Sequence, residues 1–279
     1  MIDLQKANAM RLTRDNYFSL EAEQAYMSCS QYLDFVGTGN IPGCEARALA
    51  KIRGEWAPEQ SKALLVGTYV HTWNEGPEAR REFIANNSDM FLKSGGLKAE
   101  YKQADLMIET LEKDEYCMYM LQGEKEVIVT ADMFGVPWKV RFDNYLPEKM
   151  RSSDLKTTKS IHDYEWCDRK RFKVSFVEMY DYLLRAAVYC EVERIAAGRE
   201  EGSWINFYLV AVSKEDPPDK AVISLKDPQR YYEELAAIQN TMSRIKLLKM
   251  GIARPIRCEQ CEYCRSTKTI ESVIHYSEL

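Results

Sequence analysis

The sequence predicts an α/β (α+β) chain organised around one central mixed β-sheet flanked by helices. Three observations predict it. Up to about residue 121 apolar side chains recur at helical intervals; residues 125–157 alternate and are rich in Val, Ile, Phe and Trp; and residues 152–212 read strand, helix, strand.

In the helical part, QYLDFV follows Ser30, a candidate cap, and CEARALAKIRGEW and SKALLVGTYVHTWNEG repeat the pattern, which residues 99–121 continue. A hairpin is expected from residues 125–130 and Val136–Leu146, with residues 131–135 as its turn, and a third strand from residues 152–157. Residues 180–197 place Leu183, Leu184, Ala187, Val188 and Ile195 on one helical face and end at Gly198, a suitable C-terminal stop. Residues 204–212 are an almost unbroken apolar run, as in a strand buried on both faces. Strand, helix, strand at this spacing is a crossover unit, so the third and fourth strands should be parallel and the first three an antiparallel meander. A strand over 221–225 precedes a helix over 228–250, with Asp227 as cap, Pro228 at its first position and Gly251 past its end.

The 279 residues show no internal repeat and only short candidate loops at 37–43, 95–96 and 214–220, so one domain over 1–279 is expected. Within it, 1–98 form a helical part, 99–227 the core and 228–279 a terminal helix with a cysteine cluster. No apolar stretch is long enough to span a bilayer and the first residues lack an apolar leader run, which points to a cytosolic protein with no membrane partner. A net charge of -5 excludes a protein that coats nucleic acid generally. Any polyanion site must be local, and the candidates are Arg169, Lys170 and Arg171, with a second group at Lys246, Lys249, Arg254 and Arg257.

The period of two in a strand puts Asp143 opposite Val140, Phe142, Asn144 and Leu146 in KVRFDNYL. In SSDLKTT it puts Asp154 and Lys156 on one face and Leu155 on the other. Two carboxylates on adjacent strands then converge, with an amine one step further along. Hard divalent cations such as Mg²⁺ (or Mn²⁺) take such oxygen ligands, and the Leu155 carbonyl offers a neutral one. Lys156 would orient a water and stabilise developing negative charge; whether it also serves as a base depends on its burial. A DxK tripeptide alone is more often a surface ion pair, so its company decides the reading.

That company is GTYVH at 67–71, Asp143 on the second hairpin strand, DLKTT at 154–158 and LLRAAVY at 183–189, in this order. From about residue 26 onward the chain resembles the RecB-type branch of the PD-(D/E)xK nucleases, most closely the phage-type RecE-like exonucleases, or exonuclease VIII. The resemblance implies a PD-(D/E)xK core with His71 as a metal ligand or metal-positioning group, Asp143 and Asp154 as metal carboxylates and Lys156 as the catalytic lysine. It also implies a Mg²⁺-dependent DNA exonuclease, 5′-to-3′ on linear duplex ends. Such an enzyme leaves 3′ overhangs for a RecT-type single-strand annealing protein in phage or prophage recombination, and acts as a ring-shaped homo-oligomer. Phe142 stands where the family has proline, and Arg185 where it has glutamine, four residues before Tyr189; both Arg185 and Tyr189 are expected to face DNA.

In RCEQCEYCR, Cys258, Cys261 and Cys264 put three soft ligands within reach of one centre. Similarity to four-cysteine relatives implies Cys44 as the fourth ligand, with Cys29 the alternate, and a [4Fe–4S] cluster ahead of tetrahedral Zn²⁺. Two rival functions are a CRISPR-associated or helicase-linked four-cysteine nuclease and a catalytically weak DNA-end-binding protein on a nuclease fold.

Overall fold

The computed structural model of the chain describes residues 10–59, 61–270 and 272–278. Residues 1–9, the start of the stretch read as lacking an apolar leader, lie outside the described residues.

Local signals start and stop the N-terminal helices. α1 (Leu20–Ala25) and α2 (Cys29–Val36) are capped by Ser19 and Ser28, whose hydroxyls accept the Ala22 and Gln31 N–H groups. The cap of α2 is thus Ser28 and not the expected Ser30. Ser28 has the extended backbone a cap requires, whereas Ser30 lies inside the helix and its hydroxyl accepts from Arg185. A small ribbon, β1 (Gly37–Thr38) with β2 (Ile41–Pro42), occupies the expected loop. α3 (Glu45–Arg53), α4 (Lys62–Glu75) and α5 (Pro77–Asn86) follow. The helix expected over 99–121 is two, α6 (Ala99–Glu112) and α7 (Glu115–Met120), because Asp114 leaves the helix and caps the Tyr116 and Cys117 N–H groups.

The chain then lays down β3 (Glu124–Met133), β4 (Val136–Leu146) and β5 (Arg151–Thr158). It adds a hairpin of β6 (Glu165–Cys167) and β7 (Phe172–Val174), passes through α8 (Phe176–Met179) and α9 (Tyr182–Ala196), and returns as β8 (Asn206–Ser213) and β9 (Lys220–Ser224). α10 (Pro228–Lys249) and α11 (Glu262–Ser266) complete it. The β3–β4 turn is only Phe134 and Gly135, at φ 55° and 73°, so β3 runs on through residues 131–133 of the region read as a five-residue turn, while β4 keeps its expected bounds. α9 begins two residues later than expected because Asp181, at φ 50°, interrupts the helix. The β6–β7 hairpin and α8 were not foreseen, since residues 167–173 read only as a charge run.

The sheet order is β3-β4-β5-β8-β9, antiparallel except between β5 and β8. This is the expected meander joined to a parallel crossover strand. β8 is buried on both sides, as its apolar run requires. Leu209 and Ala211 pack with Leu184 and Val188 of α9 and Ile238 of α10, while Val210 and Val212 pack with Val66 and Val70 of α4 and Met107 of α6. Each of these side chains larger than alanine stabilises the sheet–helix layers by roughly 1.5–3 kcal/mol. No helix among the described residues is long and apolar enough to cross a membrane.

Candidate active site

β4 and β5 pair from Leu146↔Arg151 as far as Asn144↔Ser153, and the next opposed positions are Asp143 and Asp154. There the ladder opens. Asp143 Oδ2 accepts the Leu155 N–H at 3.0 Å, so a side chain makes the contact that a backbone carbonyl would make in a closed sheet. His71 reaches the same oxygen from α4, with Nδ1 3.2 Å away. A Cβ at Gly67, one turn earlier, would stand 3.4 Å from Thr157 Oγ1, so glycine lets α4 lie close on β5. Lys156 Nζ is 2.7 Å from Asp154 Oδ2 and 4.0 Å from Asp143 Oδ2. Leu155 turns away, fully buried beside Val66 and Val70.

A polar layer holds this opening in place. Lys125 Nζ donates to Asn74 Oδ1 (2.8 Å), the Leu121 carbonyl (2.6 Å) and Asn144 Oδ1 (2.5 Å), and Asn144 Nδ2 donates to the Ser153 carbonyl (3.0 Å). The strands that carry the acids are thereby pinned to the helix that carries His71. The Asp143 and Asp154 side chains keep 13% and 15% of their exposure, so an ion or a phosphate can still reach them.

Burial pushes both carboxyls up, yet they end apart. For Asp143 the charges of His71 and Lys156 outweigh burial and hold it well below the usual carboxylate range. Asp154 is pushed up to about 7, first by burial and then by the charge of Asp143, against the pull of Lys156. Two like charges this close keep a proton between them near neutrality. Burial alone would lower Lys156, but Asp154 and Asp143 hold it above its ordinary value. In this state Lys156 is an ammonium donor and not a base. Crowded carboxylates with surplus negative charge and hard oxygen donors are a set that fits a divalent cation, which would replace the shared proton.

A family described as "PDDEXK-like domain of unknown function" (DUF3799) matches residues 28–267, a span that includes His71, Asp143, Asp154 and Lys156. The chain belongs to this PDDEXK-like family. It is also similar to the crystal structure of a protein from Eubacterium rectale named "Putative exonuclease", with 36% sequence identity, 96% of this chain and 98% of that chain covered, and a TM-score of 0.89. No curated protein matches the chain.

Around this PDDEXK-like centre the other candidates divide. Tyr189 packs edge-on against Phe142 and Phe207, with ring centroids 5.2 and 5.6 Å away. Burial first, with the charges of Asp154 and Asp143 among lesser causes, pushes its hydroxyl well above the usual range. Arg185 donates to the Tyr180 carbonyl (3.1 Å) and Ser30 Oγ (3.4 Å) rather than to Asp154. Arg169 pairs with Asp181, and Lys170 with Glu178 at 3.2 Å, so these two cations brace the β6–β7 hairpin instead of facing solvent freely. Arg171 and Lys173 are exposed and have no ionic partner among the described residues. The second basic group is not a shared surface: Lys249 is buried and donates to Gln31 Oε1 (2.8 Å) and the Tyr26 carbonyl (3.1 Å), and Arg257 donates to the Cys264 carbonyl (2.7 Å).

Two neighbours of the PDDEXK-like acids escaped the sequence reading. Tyr182 lies in the field of Lys156 and Asp154, one turn before Arg185, and its spacing from Arg185 and Tyr189 was the available signal. Glu126, at φ 57° and 2.8 Å from Arg141 Nε, sits opposite Asp143 in the hairpin register. Counting outward from the Phe134–Gly135 turn would have found it.

The PDDEXK-like chain also gathers Cys44, Cys258, Cys261 and Cys264, whose sulfurs all lie within 4.8 Å of one another. Cys44 Sγ is 3.5 Å and Cys258 Sγ 4.0 Å from Cys264 Sγ, and the Cys261 and Cys264 N–H groups point at the sulfurs of Cys258 and Cys261. Cys44 is therefore the fourth member. Cys29, the alternate, is buried elsewhere, in the core beneath α2. The four-cysteine set ties the start of α3 to the segment after α10.

Proposed function

We propose that this chain is a Mg²⁺- (or Mn²⁺-) dependent DNA exonuclease. The observation that carries the proposal is the opening between β4 and β5, where two acids, an ammonium and an imidazole meet within hydrogen-bond or ion-pair reach. His71, Asp143, Asp154 and the Leu155 carbonyl would hold the cation. When bound, it would polarise a phosphodiester and lower the pKa of a water. Lys156, kept protonated by its two acid neighbours, donates to the phosphate oxygens as negative charge develops on them. Asp154, which holds a proton near neutrality in the metal-free site, would give it up when the cation binds. Arg185 and Tyr189 would orient the backbone beside the acids, arginine through charge-assisted bonds to phosphate.

The name of the Eubacterium rectale relative supports an end-directed activity, and the RecE-like resemblance supports 5′-to-3′ digestion of duplex ends. The same resemblance supports a ring-shaped homo-oligomer handing 3′ overhangs to a RecT-type annealing protein. Strand-specific labelling of a linear duplex tests this directly. Loss of label from 5′ ends with the other strand intact is expected; digestion from 3′ ends would overturn the polarity, and internal cuts would favour the CRISPR-associated or helicase-linked reading.

For the cysteine set we place Zn²⁺ ahead of a [4Fe–4S] cluster. Four thiolates each about 2.3 Å from one zinc stand about 3.8 Å apart, which the 3.5 and 4.0 Å sulfur separations match. An iron–sulfur cube inserts four irons and four sulfides between its thiolates and spreads them further.

A further inference from the structure

β4 carries a second charged side chain on the face of Asp143. Val140 and Phe142 are buried in the core beneath α9, so the strand's period of two puts Arg141 and Asp143 on the opposite face, about 7 Å apart along the strand. Glu126 of β3 ties Arg141 to the site. It lies between the paired positions Lys125↔Asn144 and Val127↔Phe142, opposite Asp143 and within the field of Asp143 and His71. Its Oε2 stands 2.8 Å from Arg141 Nε, and its backbone is at φ 57°, a left-handed conformation that glutamate rarely adopts.

The guanidinium is fixed but not used up. The ring centroids of Phe18 and Tyr17 lie 4.7 and 5.2 Å from its carbon. The segment that supplies these rings is itself held, by Arg14 to Glu75, one turn past His71 on α4, and by the Tyr17 carbonyl to Lys139. Nη1 and Nη2 of Arg141 donate to no group among the described residues, and the side chain keeps 28% of its exposure against 6% for Glu126. Arginines that brace this fold spend those nitrogens on the protein: Arg244 Nη2 on Glu45 and the Arg254 carbonyl, Arg194 Nη1 and Nη2 on the Arg199 carbonyl and Glu191. Around the acids, Arg141, Arg14, Lys156 and Lys125 stand against Glu126, Glu75, Asp143 and Asp154, four cations to four acids. A divalent cation held by Asp143 and Asp154 would tip that balance to positive, which suits the uptake of a phosphate.

Resting on the nuclease reading, we propose that Arg141 is a substrate-binding residue whose Nη1 and Nη2 grip the phosphate next to the scissile one on the strand being cut, and that Glu126 is the positioning residue that aims it. A planar fork with both terminal nitrogens open matches two oxygens of one phosphate. The step along β4 from Asp143 to Arg141 is of the order of one extended nucleotide. With the acids committed to the cation, Arg141 fixes which bond of the strand lies over them.

The test compares kcat/KM for a linear duplex with that for bis(p-nitrophenyl) phosphate, a diester with no neighbouring phosphate, using the full chain in Mg²⁺. Arg141→Ala should lower the ratio of the two at least about tenfold, the loss of one charge-assisted hydrogen bond. It should also reduce the slope of log duplex affinity against log salt by about 0.9. Arg141→Lys keeps a cation beside Glu126, so it should retain the slope yet raise the duplex KM, because an ammonium presents no fork. Glu126→Gln should raise the duplex KM more than it lowers kcat. An equal loss on duplexes with 5′-phosphate and 5′-hydroxyl ends would make the gripped group an internal diester, and a loss confined to phosphorylated ends the terminal monoester; both support the assignment. An equal fall for both substrates with the slope unchanged would make the pair a brace for the N-terminal segment and overturn the assignment, leaving the nuclease reading intact. Should Arg141→Ala not fold, a wild-type duplex KM in Arg141→Lys would overturn it alone. A wild type that cuts neither substrate would overturn both.

Discussion

The Asp143 carboxylate accepts the Leu155 backbone N–H at 3.0 Å, at the point where the β4–β5 ladder opens. One oxygen thus closes a gap in the sheet while also facing His71 and Lys156. Asp143→Asn can keep the hydrogen bond through its amide oxygen but loses the charge. Mg²⁺-dependent cleavage should fall at least about a hundredfold while the metal-free melting temperature stays near that of the wild type. Asp143→Ala should melt lower, because an orphaned N–H costs about 1–3 kcal/mol. Calorimetry beside a cleavage assay separates the two roles, and undiminished cleavage by Asp143→Asn would remove Asp143 from the chemistry.

The proton on Asp154 competes with a cation. Its pKa is pushed up from 3.8 to about 7, so between those values the native state holds a proton that the unfolded chain has released. This group's contribution to metal-free stability is therefore fully present below the unfolded value and is lost as pH rises towards about 7. Divalent-cation affinity runs the opposite way, rising about tenfold per pH unit up to that point and levelling above it. Titration calorimetry in buffers of different ionisation enthalpy should detect proton release at pH 6 and little at pH 8; no release at either pH would contradict the crowded-acid picture.

Arg185 stands where the RecE-like pattern has glutamine, and it donates to Ser30 Oγ and the Tyr180 carbonyl. If its charge grips phosphate, Arg185→Ala should lower the salt slope of duplex binding by about 0.9 without changing hydrolysis of a small diester. Arg185→Gln should retain cleavage. An unchanged slope with a lowered melting temperature would make Arg185 a brace for the α8–α9 corner instead.

The four cysteines tie the start of α3 to the segment after α10, so removing their metal should loosen that junction before the sheet melts. Elemental analysis should find one zinc per chain, absent from Cys44→Ser and Cys258→Ser and present in Cys29→Ser. Limited proteolysis should then cut the two metal-free variants after α10. A brown protein absorbing near 400 nm would reject zinc for an iron–sulfur cluster.

Much of this was legible in the sequence, for identifiable reasons. Strand periodicity placed Asp154 and Lys156 on one face and Leu155 on the other, and the apolar run at 204–212 announced a strand buried on both sides. The convergence of His71 was legible only through its motif, because a helix contributes it from far along the chain and no local period records that approach. Other features depend on single backbone angles. Asp181 and Phe134 at positive φ shifted the start of α9 and the β3–β4 turn; aspartate adopts that conformation at only some of its positions and phenylalanine rarely, so neither angle is written in its residue type. The burial of Lys249 was hidden for a further reason: its three acceptors, from Glu23, Tyr26 and Gln31, come from the opposite end of the sequence.

Cleavage of a uniformly labelled linear duplex by wild type and Lys156→Ala, each in Mg²⁺ and in EDTA, tests the arrangement of acids and ammonium most directly. Rapid release of nucleotides by the wild type in Mg²⁺ alone, with Lys156→Ala slower by about a hundredfold or more yet still binding the cation, is the result these contacts predict. Equal rates for the two proteins, or undiminished digestion in EDTA, would contradict it.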